Sequence, residues 1–334
     1  MQDDSRYEPL WRETTSTDRD PNLRYRHATT HPLVRHTELM TELLADFATD
    51  TFCHDDMIHR YHRLGSGPAV VVIAEIPGIT PKVIEFARRV AAAGCTVYLP
   101  SLFGVDGADS TTHGPSVLLK SLGKVCVSRE FTIFATGKSS AVVRWLRGLA
   151  AKAHDECGGP GVGAVGMCVT GGFALAMAVD DRMLAPVLSQ PSLPLAITPG
   201  RRHNIDIGSA DLDVVKARCA GGLQVLGARF DGDKLSPPDR FRFLREQLGD
   251  AFIGVELPDS SANPDGQGPP HSVLTDHLID EPGQPTRDTL DQVLAFFRDK
   301  LGIEHGTSAQ PSPESTSPAA IADESCGEWP DADH

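Results

Sequence analysis

Apolar residues in this chain gather into short runs separated by longer stretches of helical period. Residues 69–74, Ala-Val-Val-Val-Ile-Ala, and 163–166, Gly-Ala-Val-Gly, are continuous and bounded by turn residues, which is the pattern of strands buried on both faces. Residues 57–64, 96–99, 185–188, 223–230 and 255–258 read as further strands, with the Gly/Pro-rich residues 64–68 turning the chain between the first two. Helical spacing appears over 86–93, within 131–153, and over 169–179, 209–219, 237–248 and 286–301. A serine opens the helix at 209 as its cap, and a proline opens the one at 237. Strands alternating with helices predict an α/β fold: a mostly parallel, doubly wound sheet with helices on both faces.

The flanks break this pattern. Residues 1–50 read as an irregular polar extension, relieved by Leu39, Met40, Leu43, Leu44 and Phe47 on one face of a short helix over 37–47. Residues 303–334, rich in Ser, Pro and acidic side chains, have too little apolar surface to fold and read as a disordered tail. The α/β domain is thus expected over 51–302. Its Gly/Ser-rich stretch 101–127 is long for a connection and is expected at the rim of a site.

Charge narrows the function. With 31 basic and 45 acidic residues the net charge is −14, so the electrostatic footprint of a nucleic-acid or anionic-membrane binder is missing. Seven cysteines without a C-x-x-C pair suggest neither a disulfide framework nor a zinc ribbon, and fit a reducing cytoplasm. The amino end has no apolar signal-peptide region, and no apolar run reaches membrane-spanning length. No phosphate-binding glycine motif follows any strand, so no nucleotide cofactor is implied. His59 and His62, three apart in a strand, face opposite ways and are not expected to share a metal.

The candidate chemistry begins at Gly163-Ala-Val-Gly-Met-Cys168-Val-Thr-Gly-Gly172, an apolar run that ends in a cysteine and opens an Ala-rich helix. It reads as a nucleophile elbow, in which a strand turns sharply into a helix and lifts the middle residue above the sheet. Small residues are needed two before and two after the nucleophile; Gly166 meets that demand and Thr170 meets it poorly. The backbone N–H of Val169 is the expected oxyanion donor. Glu75 sits at the end of the strand at 69–74, where it could serve chemistry or cap the helix after Pro81. Asp231 and Asp233 follow the strand at 223–230, and spacing to Pro237 favours Asp233. His271 comes last. Nucleophile, acid, histidine is a known order of catalytic triads.

Four dispersed motifs in one order carry a resemblance: Glu75-Ile-Pro-Gly78, Gly166 to Gly172, Asp233 to Pro237, and His271-Ser272. With them the chain resembles the dienelactone hydrolase family of cysteine-dependent α/β hydrolases. That resemblance implies an α/β-hydrolase fold and attack by Cys168 on a lactone or small activated ester, with His271 as base and Asp233 as its orienter. It further implies that the Ile76 N–H is the second oxyanion donor, that Glu75 touches the resting thiol and helps ionise it, and that neither metal nor organic cofactor takes part. Thr170 stands where the family usually has glycine. Arg129 is the candidate for a substrate-binding arginine. Two other readings stay open: a broader carboxylesterase or thioesterase on the same fold, and a non-catalytic redox-sensing thiol, which Thr170 favours.

Overall fold

The computed structural model describes residues 42–103, 106 and 140–304. Eight strands form one sheet: β1 (Ala48–His54), β2 (Met57–Gly65), β3 (Ala69–Ile73), β4 (Thr96–Pro100), β5 (Val162–Met167), β6 (Met183–Ser189), β7 (Val225–Phe230) and β8 (Phe252–Leu257). Their order across the sheet is β1-β2-β4-β3-β5-β6-β7-β8. The β1/β2 and β2/β4 pairs are antiparallel, and every pair from β4 to β8 is parallel. β3, β4, β5 and β7 are buried throughout, which is why they read as unbroken apolar runs.

Helices cover both faces. On one lie α1 (Pro81–Ala92) and α6 (Pro285–Lys300), packing Val83, Phe86 and Val90 with Val293 and Phe297. On the other lie α2 (Ala141–Cys157), α3 (Gly171–Met177), α4 (Ser209–Ala220) and α5 (Pro238–Leu248), through Trp145, Leu149, Phe173, Val215 and Phe241. This is the doubly wound α/β-hydrolase architecture. Ser209 is the first residue of α4 rather than its cap; Gly208 holds the cap position without a side-chain bond. The predicted helix over 169–179 is shorter, a single 3-10 turn at Cys168–Thr170 followed by α3.

β1 went unpredicted, and it starts before the expected domain boundary at residue 51. Only Phe52 and Cys53 are partly shielded, so it lacks the alternation that marks a half-buried strand. Of the helix expected over 37–47 only the end is described: Glu42 and Leu43 are helical, and Phe47 is buried. Most of 101–127, Arg129, and residues 305–334 lie outside the described residues. Cys53 is disulfide-bonded, whereas Cys95, Cys157, Cys168 and Cys219 are free. The sequence suggests no disulfide framework and carries no signal for this bond, because pairing depends on the separation of Cα atoms in the fold, which spacing along the chain does not reveal. No helix among the described residues is long and apolar enough to cross a membrane.

Candidate active site

From β3 the chain crosses to β4 on one side, whereas from β5 it proceeds to β6, β7 and β8 on the other. The carboxyl ends of β3 and β5 therefore flank the point where the winding reverses, the place where open α/β sheets form their crevice. Glu75 follows β3 and Cys168 follows β5. Ile73 pairs with Gly166, so Ile76 and Val169 each lie three residues beyond a matched pair, on adjacent turns.

Cys168 has φ +54, a left-handed conformation that costs an ordinary side chain about 1–2 kcal/mol. The surrounding contacts hold it there. A Cβ on Gly166 would lie 2.1 Å from the Thr170 carbonyl oxygen, so only glycine lets the turn close. The expected misfit at Thr170 is absent. Its side chain is fully buried, and its Oγ1 accepts the Met167 N–H at 2.8 Å and lies 3.0 Å from the Ile73 carbonyl oxygen, stitching the elbow to β3. The close approach falls one residue later, at Gly171, whose Cβ would meet Pro191 Cα at 2.6 Å. The Ser192 N–H donates to the Cys168 carbonyl at 2.8 Å and fixes the turn from its other side.

His271 and Asp233 meet as expected, with Nδ1 2.7 Å from Oδ2. The other oxygen of Asp233 accepts the N–H groups of Leu235 (2.9 Å) and Ser236 (3.2 Å), which orients the carboxylate. Burial pushes the Asp233 carboxyl up, but the His271 hydrogen bond and charge, with those backbone bonds, leave it below its usual 3.8. Asp231 is exposed and lies beside Arg229 instead. The His271 side chain is only 16% exposed, which rejects a solvated loop histidine. Burial alone would push its imidazole down. The Cys168 sulfur and the Asp233 bond outweigh that and hold it well above 6.5. Nε2 is buried without a hydrogen bond of ordinary geometry, and it faces Cys168.

Glu75 completes the cluster. One carboxylate oxygen, the Cys168 Sγ and a His271 ring nitrogen lie within 4.8 Å of one another. Glu75 does not cap the helix that follows, because Thr80 does so through a bond from the Val83 N–H. Its Oε1 accepts from Thr275 Oγ1 at 2.5 Å, and its Oε2 from Ser272 Oγ at 2.8 Å and Gln190 Nε2 at 3.2 Å. Burial raises its carboxyl above 4.5, against the pull of His271 and the two hydroxyls.

The sequence matches the dienelactone hydrolase family over residues 59–215. Over that stretch the chain is similar to the family. The match takes in Glu75, Ile76, Cys168 and Val169 and ends before Asp233 and His271, which are joined to the cluster by geometry. Among solved structures, a protein assigned as a dienelactone hydrolase from Klebsiella pneumoniae is 19% identical, covering 75% of this chain and 98% of its own at a TM-score of 0.51. The α/β hydrolase GrgF from Penicillium is 14% identical, covering 77% of this chain and 99% of its own at a TM-score of 0.50. Both likenesses speak for the fold. No curated protein matches the sequence. The family match, together with the fold, supports a hydrolase.

Sequence reading missed Gln190, Ser272 and Thr275. The signal that could have found Gln190 is the polar Ser189-Gln-Pro-Ser192 directly after a buried strand, at the same sheet end as Glu75 and Cys168. A thiol, an imidazole and a carboxylate are also donors that a zinc ion accepts. Here both Glu75 oxygens already accept from protein donors, which leaves the carboxylate little capacity for an ion. His59 and His62 part company as expected: His59 lies edge-on to Trp145 with centroids 5.0 Å apart, and His62 bonds Thr49 and Asp106.

Proposed function

We propose that this protein hydrolyses a lactone or small activated ester through a thioester on Cys168. The observation that carries the reading is the strained Cys168 facing an imidazole whose far nitrogen is bound by a buried aspartate. In the first half-reaction the Cys168 thiolate attacks the carbonyl carbon and a C–S bond forms. The oxyanion is met by the N–H groups of Val169 and Ile76. As the C–O bond breaks, protonated His271 gives its proton to the leaving alkoxide. Water, deprotonated by His271, then attacks the thioester and expels the thiolate. The upward shift of His271 supports its carrying the proton that the first step spends. Glu75, held by three donors, is the proposed neighbour that contacts the resting thiol and helps it ionise. Arg129 remains the candidate for a substrate's anionic group. The proposed setting is the cytoplasm, where a thiol nucleophile stays reduced.

The redox-sensor alternative rested on Thr170, whose hydrogen bonds now account for it. A panel of lactones, p-nitrophenyl esters and thioesters, run with wild type beside Cys168→Ala, tests the proposal. Lactone or aryl-ester turnover that falls by about a thousandfold or more in the variant is the expected result. Iodoacetamide should label Cys168 fastest of the free cysteines and abolish turnover, and EDTA should leave it unchanged. Full activity in Cys168→Ala overturns the mechanism, thioester-only turnover moves the substrate class, and EDTA loss restored by zinc moves the trio to a metal site.

A further inference from the structure

Gln190 is fully buried at the end of β6, with φ +34, a backbone conformation a glutamine adopts at a cost. Its backbone is fastened twice: the N–H donates to the Ala228 carbonyl at 2.7 Å, and the carbonyl accepts from Ser192 Oγ at 3.0 Å. The side chain spans two loops. Nε2 donates to Glu75 Oε2 at 3.2 Å, while Oε1 accepts the N–H of Val273 at 3.3 Å and the hydroxyl of Ser189. Val273 lies two residues beyond His271. One amide therefore ties Glu75, after β3, to the segment that carries His271, after β8.

We propose that Gln190 is a positioning residue that sets the separation of Glu75 and His271 on either side of Cys168. The amide is suited to this because its two ends differ. The nitrogen end can only donate, so it meets Glu75 as an acceptor; the oxygen end can only accept, so it meets a backbone N–H. A carboxylate in its place would keep the bond to Val273 and set two carboxylates against each other, which then share a proton. An asparagine would keep the amide and tolerate the left-handed backbone, yet fall one methylene short of both partners. The titratable and charged groups facing Glu75 are Cys168 from the elbow and His271 and Asp276 from the segment after β8. Gln190 is the neutral group that separates this charge cluster from β6.

This inference rests on Cys168 being the nucleophile, and its test reads the thiol directly. Iodoacetamide alkylation of Cys168 is measured against pH in wild type, Gln190→Glu and Gln190→Asn, followed by mass spectrometry at that residue, with thermal unfolding alongside. Both variants should displace the midpoint of the alkylation profile by about half a pH unit or more. Both should also lower kcat by about tenfold or more with KM within about threefold, the signature of a positioning loss rather than a binding loss. Gln190→Glu is nearly isosteric and should unfold close to wild type, so its profile stays readable should Gln190→Asn fold poorly. Lowered melting temperatures with an unchanged alkylation profile would make Gln190 a purely structural clip and overturn the proposal. Retained activity in Cys168→Ala, by contrast, removes the nucleophile reading without bearing on the alkylation result.

Discussion

At the scale of single residues the site is a set of charges that burial alone would suppress. Asp233 lies below its usual 3.8 and His271 well above its usual 6.5, each through the other and, for His271, through Cys168 as well. The signs fix a pH window. A lowered carboxyl contributes stability above 3.8, which is lost as pH falls through its folded value. A raised imidazole contributes fully below 6.5, and that is lost as pH rises through its folded value. The pair therefore stabilises most between those limits. Asp233→Asn should cost most stability between about pH 4 and 6.5 and less on either side, as followed by thermal unfolding. It should also lower kcat by about a thousandfold or more, because the imidazole loses its orienter. Asp231→Asn, on an exposed side chain, should change stability by no more than about 0.5 kcal/mol and leave turnover near wild type. A reversed ranking would make Asp231 the acid and the 2.7 Å contact incidental.

At the scale of elements, the elbow shows what spacing can and cannot say. The strand–cysteine–helix order was legible because it is local. The demand for glycine at position 170 was read from a rule of spacing, and the structure moves it to Gly171, where the backbone passes Pro191. Thr170 earns its place through non-local bonds: its partners on β3 are 96 and 97 residues away. Thr170→Val keeps the volume but leaves the buried Met167 N–H without its acceptor, so unfolding should show a loss of about 1–3 kcal/mol. Thr170→Ser should recover most of it. Equal stability in all three would show that the hydroxyl is not needed. Gln190, Ser272 and Thr275 stayed hidden for the same reason, since they reach Glu75 across 115, 197 and 200 residues. β1 escaped because an exposed edge strand needs no apolar alternation, whereas the buried parallel strands announced themselves.

At the scale of the whole molecule, the doubly wound sheet brings Glu75 and Cys168 together at its switch point, and a net charge of −14 surrounds them. That field bears on which ester reaches the thiol. An anionic lactone approaches against it, and a neutral ester does not. Near 0.01 M salt the Debye length is about 30 Å, which spans much of a domain, and near 0.15 M it is about 8 Å. With a neutral and an anionic ester of similar leaving group, kcat/KM for the anionic one should rise with salt over this range while the neutral one stays flat. The buried Arg240 offers no local remedy, because its guanidinium already donates to the carbonyls of Leu193 and Pro194. Should the anionic ester instead be favoured at low salt and lose ground as salt is added, a local cation outweighs the global field. Arg129→Gln would then be expected to abolish that salt dependence, giving a substrate carboxylate its partner.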